Sequence, residues 1–342
     1  MEKTLLIHYQ DLKPSRPDFR IIGVFNPAVT QMSGEIIMIA RVAETPLGAD
    51  HDHVIVPIIR QKQYTFMKIP TMDDSYDFSD ARVIRNHEQS YLTSISHFRV
   101  GRSHDGYHFT FDEKPILPET MYEEYGIEDP RITKIEGHYY ITYTAVSSYG
   151  INVGLMVTDD FATFERKGII LPFDNKDCVL FPQKIKGEYY AYHRPSTSDF
   201  GKLDIWMAKS TNLIHWGDHQ VIPSARISYR PSVRIGAGAA PFLTEKGWIV
   251  VYHSADSHNR YHLAALLVDK ENPGIVLKRS KAPLVEPNES YEREGFFPDV
   301  VFTCGLINEG KKIRVYYGVC DQNIAVCEIS MDELWENLGP IT

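Results

Sequence analysis

The chemistry-bearing residues of this 342-residue chain stand in short, distinctive strings. Asp129 falls in GIEDPRIT (Gly126–Thr133), two positions before Arg131. Lys176 and Asp177 fall in NKDCVLFP (Asn175–Pro182), Arg194 in YHRP (Tyr192–Pro195), and His253 ends a run that begins at Gly236. A carboxyl such as that of Asp129 can protonate a leaving oxygen, whereas Lys176, Arg194 and His253 offer cationic donors to an oxyanion such as phosphate. Cleaving a glycosidic bond with water needs two carboxyl groups, one as acid and one to activate or replace the water. Cleaving it with phosphate needs only the acid and a small basic pocket, because the nucleophile arrives already anionic. The residue set favours the second arrangement, with Glu292, Glu294 and Asp321 left as carboxylates that a hydrolase would use. Residues two apart on a strand share a face. Asp129 and Arg131 are therefore expected on one side, with Glu128 and Pro130 on the other. A structural Asp–Arg ion pair is an equally open reading of that spacing.

A repeat positions these residues. A hairpin recurs five times, beginning at Asn26, Asp129, Phe181, Ala240 and Pro298. Each copy carries a proline (Pro27, Pro130, Pro182, Pro241, Pro298), a short apolar strand, a turn glycine (Gly34, Gly137, Gly187, Gly247, Gly310) and a second, aromatic strand. β-Branched and aromatic runs favour strands, and glycine supplies the positive φ of a tight turn. A polar turn with a nearby aromatic follows most copies, marked by Asp105, Asp159, Asn212 and Asp269 at spacings of 53–57 residues. A period of this size with four strands per unit predicts propeller blades. The expected fold class is all-β: one five-bladed β-propeller catalytic domain over residues 1–342, with a short C-terminal helix opened by a capping box of Ser330 and Glu333.

The interval from Pro27 to Pro130 is about one repeat too long, which places an inserted loop at about 44–89. Its His51 and His53 have no third ligand at metal-binding spacing, so they read as solvated loop histidines and no metal site is expected. Two roles fit an insertion of this length: closing over the pocket to restrict chain length, or joining two subunits into a homo-oligomer.

The innermost strands of a propeller line a central channel. Seven residues past each turn glycine stand Arg41, Thr144, Arg194, Ser254 and Tyr317; six past stand Ala40, Tyr143, His193, His253 and Tyr316. Charged groups inside a stack of sheets need partners, so these positions are expected to converge on the channel mouth. Asn26, Glu128-Asp129, Asn175-Lys176-Asp177 and Asp299 form a second polar ring near the hairpin prolines.

Composition narrows the partners. A formal charge of −9, with 43% hydrophobic and 24% charged residues, suits a globular protein and gives no basic field for nucleic acid or an anionic membrane. The four cysteines show no CxxC spacing and read as buried thiols. No apolar run is long enough to span a bilayer, and MEKTLLIHYQ lacks the apolar core of a signal peptide. A cytoplasmic protein is expected.

The strings around Asp129, Asn175 and Tyr192, together with YYITYTA (Tyr139–Ala145), FPDVVFTCG (Phe297–Gly305) and YYGVCD (Tyr316–Asp321), resemble glycoside hydrolase family 130. The resemblance runs from about Asn26 to the C-terminus. It implies a five-bladed propeller with Asp129, the aspartate of the EDPR motif, as general acid. It also implies a relay in which the acid protonates a sugar hydroxyl that passes a proton to the glycosidic oxygen. Phosphate would attack from the opposite face, giving α-mannose 1-phosphate with inversion. Lys176, Arg194 and His253 are the implied phosphate ligands, and Asn26, Arg41, Arg131, Asp177 and Asp321 the implied sugar ligands. Inorganic phosphate is then a co-substrate, and no cofactor is implied. Within the family the YHRP and YHS strings are most similar to the branch acting on β-1,2-mannobiose and β-1,2-mannooligosaccharides. The alternatives are a β-1,2-mannosidase, a phosphorylase of mannosyl-glucose or mannosyl-N-acetylglucosamine, and a non-catalytic carbohydrate-binding propeller. The long insertion departs from the family pattern.

Overall fold

The computed structural model describes residues 2–196, 200–226 and 232–341. Strands dominate. After β1 (Lys3–Ile7), the first antiparallel group comprises β2 (Phe19–Met32), β3 (Glu35–Pro46) and, beyond an inserted segment, β9 (Ile95–Ser103) and β10 (Thr110–Phe111). The insertion holds the hairpin β4 (His53–Arg60)–β5 (Gln63–Pro70) and a small sheet of β6 (Asp77–Asp80), β7 (Val83–Arg85) and β8 (Ser90–Leu92). It is thus built of strands rather than loop, and it runs from the end of β3 to the start of β9. Val56, Ile58, Ile69, Ile84 and Tyr91 give it a core of its own, seated on Tyr125.

The second group is β11 (Gly126–Ile135), β12 (His138–Ser147), β13 (Gly150–Thr158) and β14 (Glu165–Leu171), joined to the first by a single parallel bridge, Gly126 to Ser96. The third is β15 (Asn175–Leu180), β16 (Tyr189–Pro195), β17 (Trp206–Ser210) and β18 (Gly217–Val221). The fourth holds β19 (Arg234–Ala237), β20 (Phe242–Thr244), β21 (Gly247–Ala255), β22 (Tyr261–Val268) and β23 (Val276–Ser280). After α1 (Ser290–Arg293) come β24 (Val301–Asn308), β25 (Lys312–Val319) and β26 (Asn323–Ser330), and β1 pairs antiparallel with β26 to complete that last sheet. The chain ends with α2 (Met331–Asn337) and β27 (Leu338–Gly339), which pairs with β23. Ser330 caps α2 as expected: its hydroxyl accepts from the Glu333 amide at 3.1 Å while the Glu333 carboxylate accepts from the Ser330 amide at 2.9 Å. Among the described residues no helix is long and apolar enough to cross a membrane.

The hairpin turns follow the glycines. Gly34, Gly137 and Gly187 have φ near +90°, and Ser33, Glu136 and Lys186 before them are also left-handed, the two-residue turn that matches strand twist. The prolines, by contrast, do not mark one structural place. Pro27 and Pro130 lie inside β2 and β11, whereas Pro182 follows β15, Pro241 follows β19 and Pro298 precedes β24. The polar turns recur, but in the second copy the capping residue is Asp160, which accepts from the amides of Ala162 and Thr163. Asp159 instead meets His138 at 2.7 Å.

The core lies between the sheets. The first group packs on the second through Ile39, Phe98, Ile132 and Ile141, and the second on the third through Leu155, Leu171 and Leu180. The third meets the fourth through Tyr192, Trp248 and Tyr252, and the fourth meets the last through Val251, Leu263 and Val315. The last packs back on the first through Tyr316, Val326, Met38 and Val42.

Candidate functional site

Three strands share one irregularity. The pairing of β2 with β3 shifts between Phe25 and Ala28, that of β11 with β12 between Glu128 and Arg131, and that of β15 with β16 between Lys176 and Val179. At each break one residue is left-handed: Asn26 (φ 49°), Asp129 (φ 50°) and Asp177 (φ 53°). Asn and Asp tolerate this conformation better than other side chains, and a bulge re-aims whatever it carries.

The bulge overturns the expected alternation at Asp129. Glu128 and Asp129 turn to the same partner: Arg41 donates from Nη2 to Glu128 at 2.7 Å and from Nη1 to Asp129 Oδ1 at 3.0 Å. Arg131 reaches Asp129 only at its backbone oxygen, at 2.9 Å, and spends its charge on Asp177 at 3.0 Å. A direct Asp129–Arg131 side-chain pair is therefore absent. Asp129 Oδ1 also accepts the side-chain amide of Asn26 at 2.8 Å. Arg41 is fixed further by Ser96 at 2.9 Å and by the Phe25 ring, 4.6 Å from its guanidinium carbon. Burial raises the Asp129 pKa, but Arg41, Arg131 and the Asn26 hydrogen bond outweigh it, and the carboxyl is held below its ordinary range.

Arg194 lies opposite Lys176 across the β15–β16 pair. Lys176 makes no hydrogen bond or ion pair among the described residues, and burial, then Arg194, lowers its pKa. Arg194 Nη1 stands 2.9 Å from Asp177 Oδ2, and its buried Nε has no hydrogen-bond partner among the described residues. His253 is fully buried behind Arg194, its Nε2 3.3 Å from both Arg194 Nη1 and Asp177 Oδ2. Burial pushes its pKa down to about 4, so the ring is neutral and donates to Asp177 when its proton sits on Nε2.

These groups border a cavity of about 470 Å³. Asn26, Arg41, Glu128, Asp129, Lys176, Asp177, Arg194 and Asp321 line it. Asp321 enters from the β25–β26 turn, where Cys320 and Asp321 are both left-handed. Its carboxyl is raised to about 6, chiefly by burial, with Asp129 adding to the rise and Arg41 opposing it.

The structure does not bring the predicted ring together as a whole. Of the positions six and seven past the turn glycines, Arg41 and Arg194 line the cavity, and His253 stands behind it. His193 bonds Asn175 and His219, Tyr143 bonds Glu123, Ser254 bonds Ser232, Tyr316 bonds the Gly106 carbonyl and Tyr317 bonds Glu292. Asp299 lies outside the cavity lining, before β24 begins. Sequence reasoning missed Arg82 and Leu92 from the insertion, and Arg234 and Tyr261 from the fourth sheet, all of which line the cavity. Arg82 packs 4.4 Å over the Phe297 ring, and Arg234 donates to the Tyr261 hydroxyl at 2.8 Å. None of the four recurs in the repeat, so the period carried no sign of them.

An acidic residue held beside an open basic cradle fits an enzyme that breaks a bond with help from an anion. The chain belongs to glycoside hydrolase family 130, whose sequence profile, described as β-1,4-mannooligosaccharide phosphorylase, matches residues 78–338. A β-1,2-mannobiose phosphorylase from Listeria innocua is 43% identical over 98% of this chain and 97% of its own length. The solved complex of the Listeria innocua enzyme with β-1,2-mannobiose matches with a TM-score of 0.94 at 42% identity, over 98% of this chain and 99% of the other. A 1,2-β-oligomannan phosphorylase from a Thermoanaerobacter species is 39% identical over 70% of this chain and 80% of its own.

Proposed function

We propose that this protein is an inverting phosphorylase of β-1,2-mannobiose and short β-1,2-mannooligosaccharides, releasing α-D-mannose 1-phosphate and a shortened mannoside. The observation that carries this reading is Lys176, which has no hydrogen bond or ion pair among the described residues, facing Arg194 in the cavity that also holds Asp129. Similarity to the Listeria innocua enzyme over nearly the whole of both chains supports the sugar and the linkage. An oxygen of phosphate forms the new bond to the anomeric carbon as the bond from that carbon to the glycosidic oxygen breaks. The leaving oxygen takes a proton that Asp129 supplies through a sugar hydroxyl. Asn26, Arg41 and Asp321 border the sugar side of the cavity, and Lys176 with Arg194 the phosphate side, with His253 as a support. The negative charge of bound phosphate favours the protonated form of Asp129, against the pull of Arg41, Arg131 and Asn26 toward the ionised form.

The five groups of strands are the blades of a closed propeller in this reading. Two observations support it: the last sheet packs back on the first, and β2, β11 and β24, which contribute to the active cavity, also border a second cavity of about 410 Å³ together with Pro182 and Ala240, which follow β15 and β19. The strand-built insertion restricts the acceptor through Arg82 and Leu92.

A hydrolytic reading rests on Asp321, a second carboxyl in the cavity whose raised pKa suits proton exchange. One assay separates the two. Mannobiose incubated with phosphate should yield mannose 1-phosphate, with no cleavage in its absence. Release of free mannose at an equal rate without phosphate would establish the hydrolase instead.

A further inference from the structure

Asp129 and Asp177 occupy the same bulge on neighbouring strands with nearly the same φ, yet they are buried differently. The Asp129 side chain is 13% exposed and the Asp177 side chain 1%. We infer that Asp177 is a positioning residue that holds Arg194 in place for phosphate, rather than a ligand of the sugar; the inference rests on the reading that Lys176 and Arg194 receive phosphate.

Three nitrogen groups converge on this one carboxylate, Arg131 as a hydrogen-bond donor and Arg194 and His253 as close ionic or polar contacts. Arg131 Nη2 reaches Oδ1 at 3.0 Å, while Arg194 Nη1 and His253 Nε2 stand 2.9 Å and 3.3 Å from Oδ2. Arg131 is itself fixed by the carbonyls of Ala237 and Gly238, so the carboxylate is anchored from behind. The facing strand leaves it no slack: a Cβ added to Gly236 would collide with Asp177 Oδ2 and crowd His253 Cε1. Burial pushes the Asp177 pKa up, but Arg194, His253 and Arg131 together keep the group ionised, well below the ordinary range. With one Nη of Arg194 fixed by Asp177, the rest of the guanidinium is held ready for an anion. A sugar hydroxyl has no comparable access to Asp177.

Charge alone predicts the opposite of positioning. Removing a carboxylate from beside a phosphate site leaves it more positive and should tighten anion binding. Removing a clamp lets Arg194 swing and should weaken it.

The test is Asp177→Asn, measured as KM for phosphate and KM for β-1,2-mannobiose. The expected result is a rise in the phosphate KM of about tenfold or more, the scale of one lost close ion pair, with the mannobiose KM changed less than about threefold. Gly236→Ala displaces the same carboxylate without removing its charge, lies outside the cavity lining, and should raise the phosphate KM selectively too; it carries the test if the asparagine variant does not fold. A phosphate KM that stays level or falls, or a rise confined to mannobiose, overturns the inference. Lys176→Ala and Arg194→Ala serve as controls. If they leave the phosphate KM unchanged, the phosphate reading itself fails and this inference with it; if they raise it while Asp177→Asn does not, the inference alone fails.

Discussion

Asn26 donates its side-chain amide to Asp129 Oδ1 across 2.8 Å, although the two residues are 103 positions apart. Each sits left-handed at the bulge of its own strand. Together with Arg41, Asn26 holds the carboxyl in the form that accepts hydrogen bonds. Asp129→Asn is accordingly expected to lower kcat by about 10²–10⁴-fold with fold and sugar binding retained. Steady-state rates alongside mannobiose titration would check it, and a variant retaining near-normal kcat would remove Asp129 from the acid's role.

Removing the amide should have a milder and directional effect. Asn26→Ala takes away a donor that lowers the Asp129 pKa, so the acid stays protonated to higher pH. The alkaline limb of the kcat/KM profile should move upward. An unmoved limb would mean that Asn26 serves the sugar alone.

Asp321 provides a pH test of stability. Its folded pKa of about 6 lies above the ordinary carboxyl value, so the native state holds this proton more tightly than the unfolded chain does. That contribution is complete below about pH 4 and is lost as pH rises through about 6. Asp321→Asn should therefore be more stable than the parent at about pH 8, by roughly 1–3 kcal/mol, with the gain shrinking toward zero at about pH 4. Urea denaturation across this range would measure it.

The insertion reaches the cavity through Arg82, whose guanidinium pairs with Asp80 at 2.9 Å and covers the Phe297 ring. Arg82→Ala opens that end. The ratio of kcat/KM for mannotriose to that for mannobiose should rise by roughly tenfold, the discrimination that pocket space of this size supplies. An unchanged ratio would show that Arg82 sets no limit on chain length.

The last sheet is fastened by Glu292, which is fully buried and takes Lys3 at 2.8 Å and the Tyr317 hydroxyl at 2.8 Å. Glu292→Ala leaves Lys3 only the Glu286 carbonyl, at 2.7 Å, and should cost about 3–5 kcal/mol in equilibrium unfolding, far more than a surface pair. A loss under about 1 kcal/mol would show that the Lys3–Glu292 pair adds little to holding β1.

Much of this was legible in the sequence because it is periodic. The turn glycines and the matched positions of Arg41 and Arg194 repeat with the strands that carry them, while the Ser330 cap is announced locally by Glu333 three residues on. The bulges were not legible, since Asp and Asn permit a left-handed backbone without announcing it, and so Glu128 and Asp129 could not be seen to share Arg41. Nor could the different burial of Asp129 and Asp177 be read, because it depends on Gly236 and His253 of another sheet. The period places the turn of the second copy at Asp159, but the backbone amides of Ala162 and Thr163 donate to its neighbour Asp160. Arg82 lies in a segment with no second copy to compare.

The pairing of Lys3–Ile7 with Asn323–Ser330 also sets an order of events during synthesis. A ribosome delivers the first of these strands long before the second exists. Until then an apolar edge on the opening hairpin has no cover and is open to other chains. That exposure lasts until Asn323–Ser330 has been made and can pair with Lys3–Ile7.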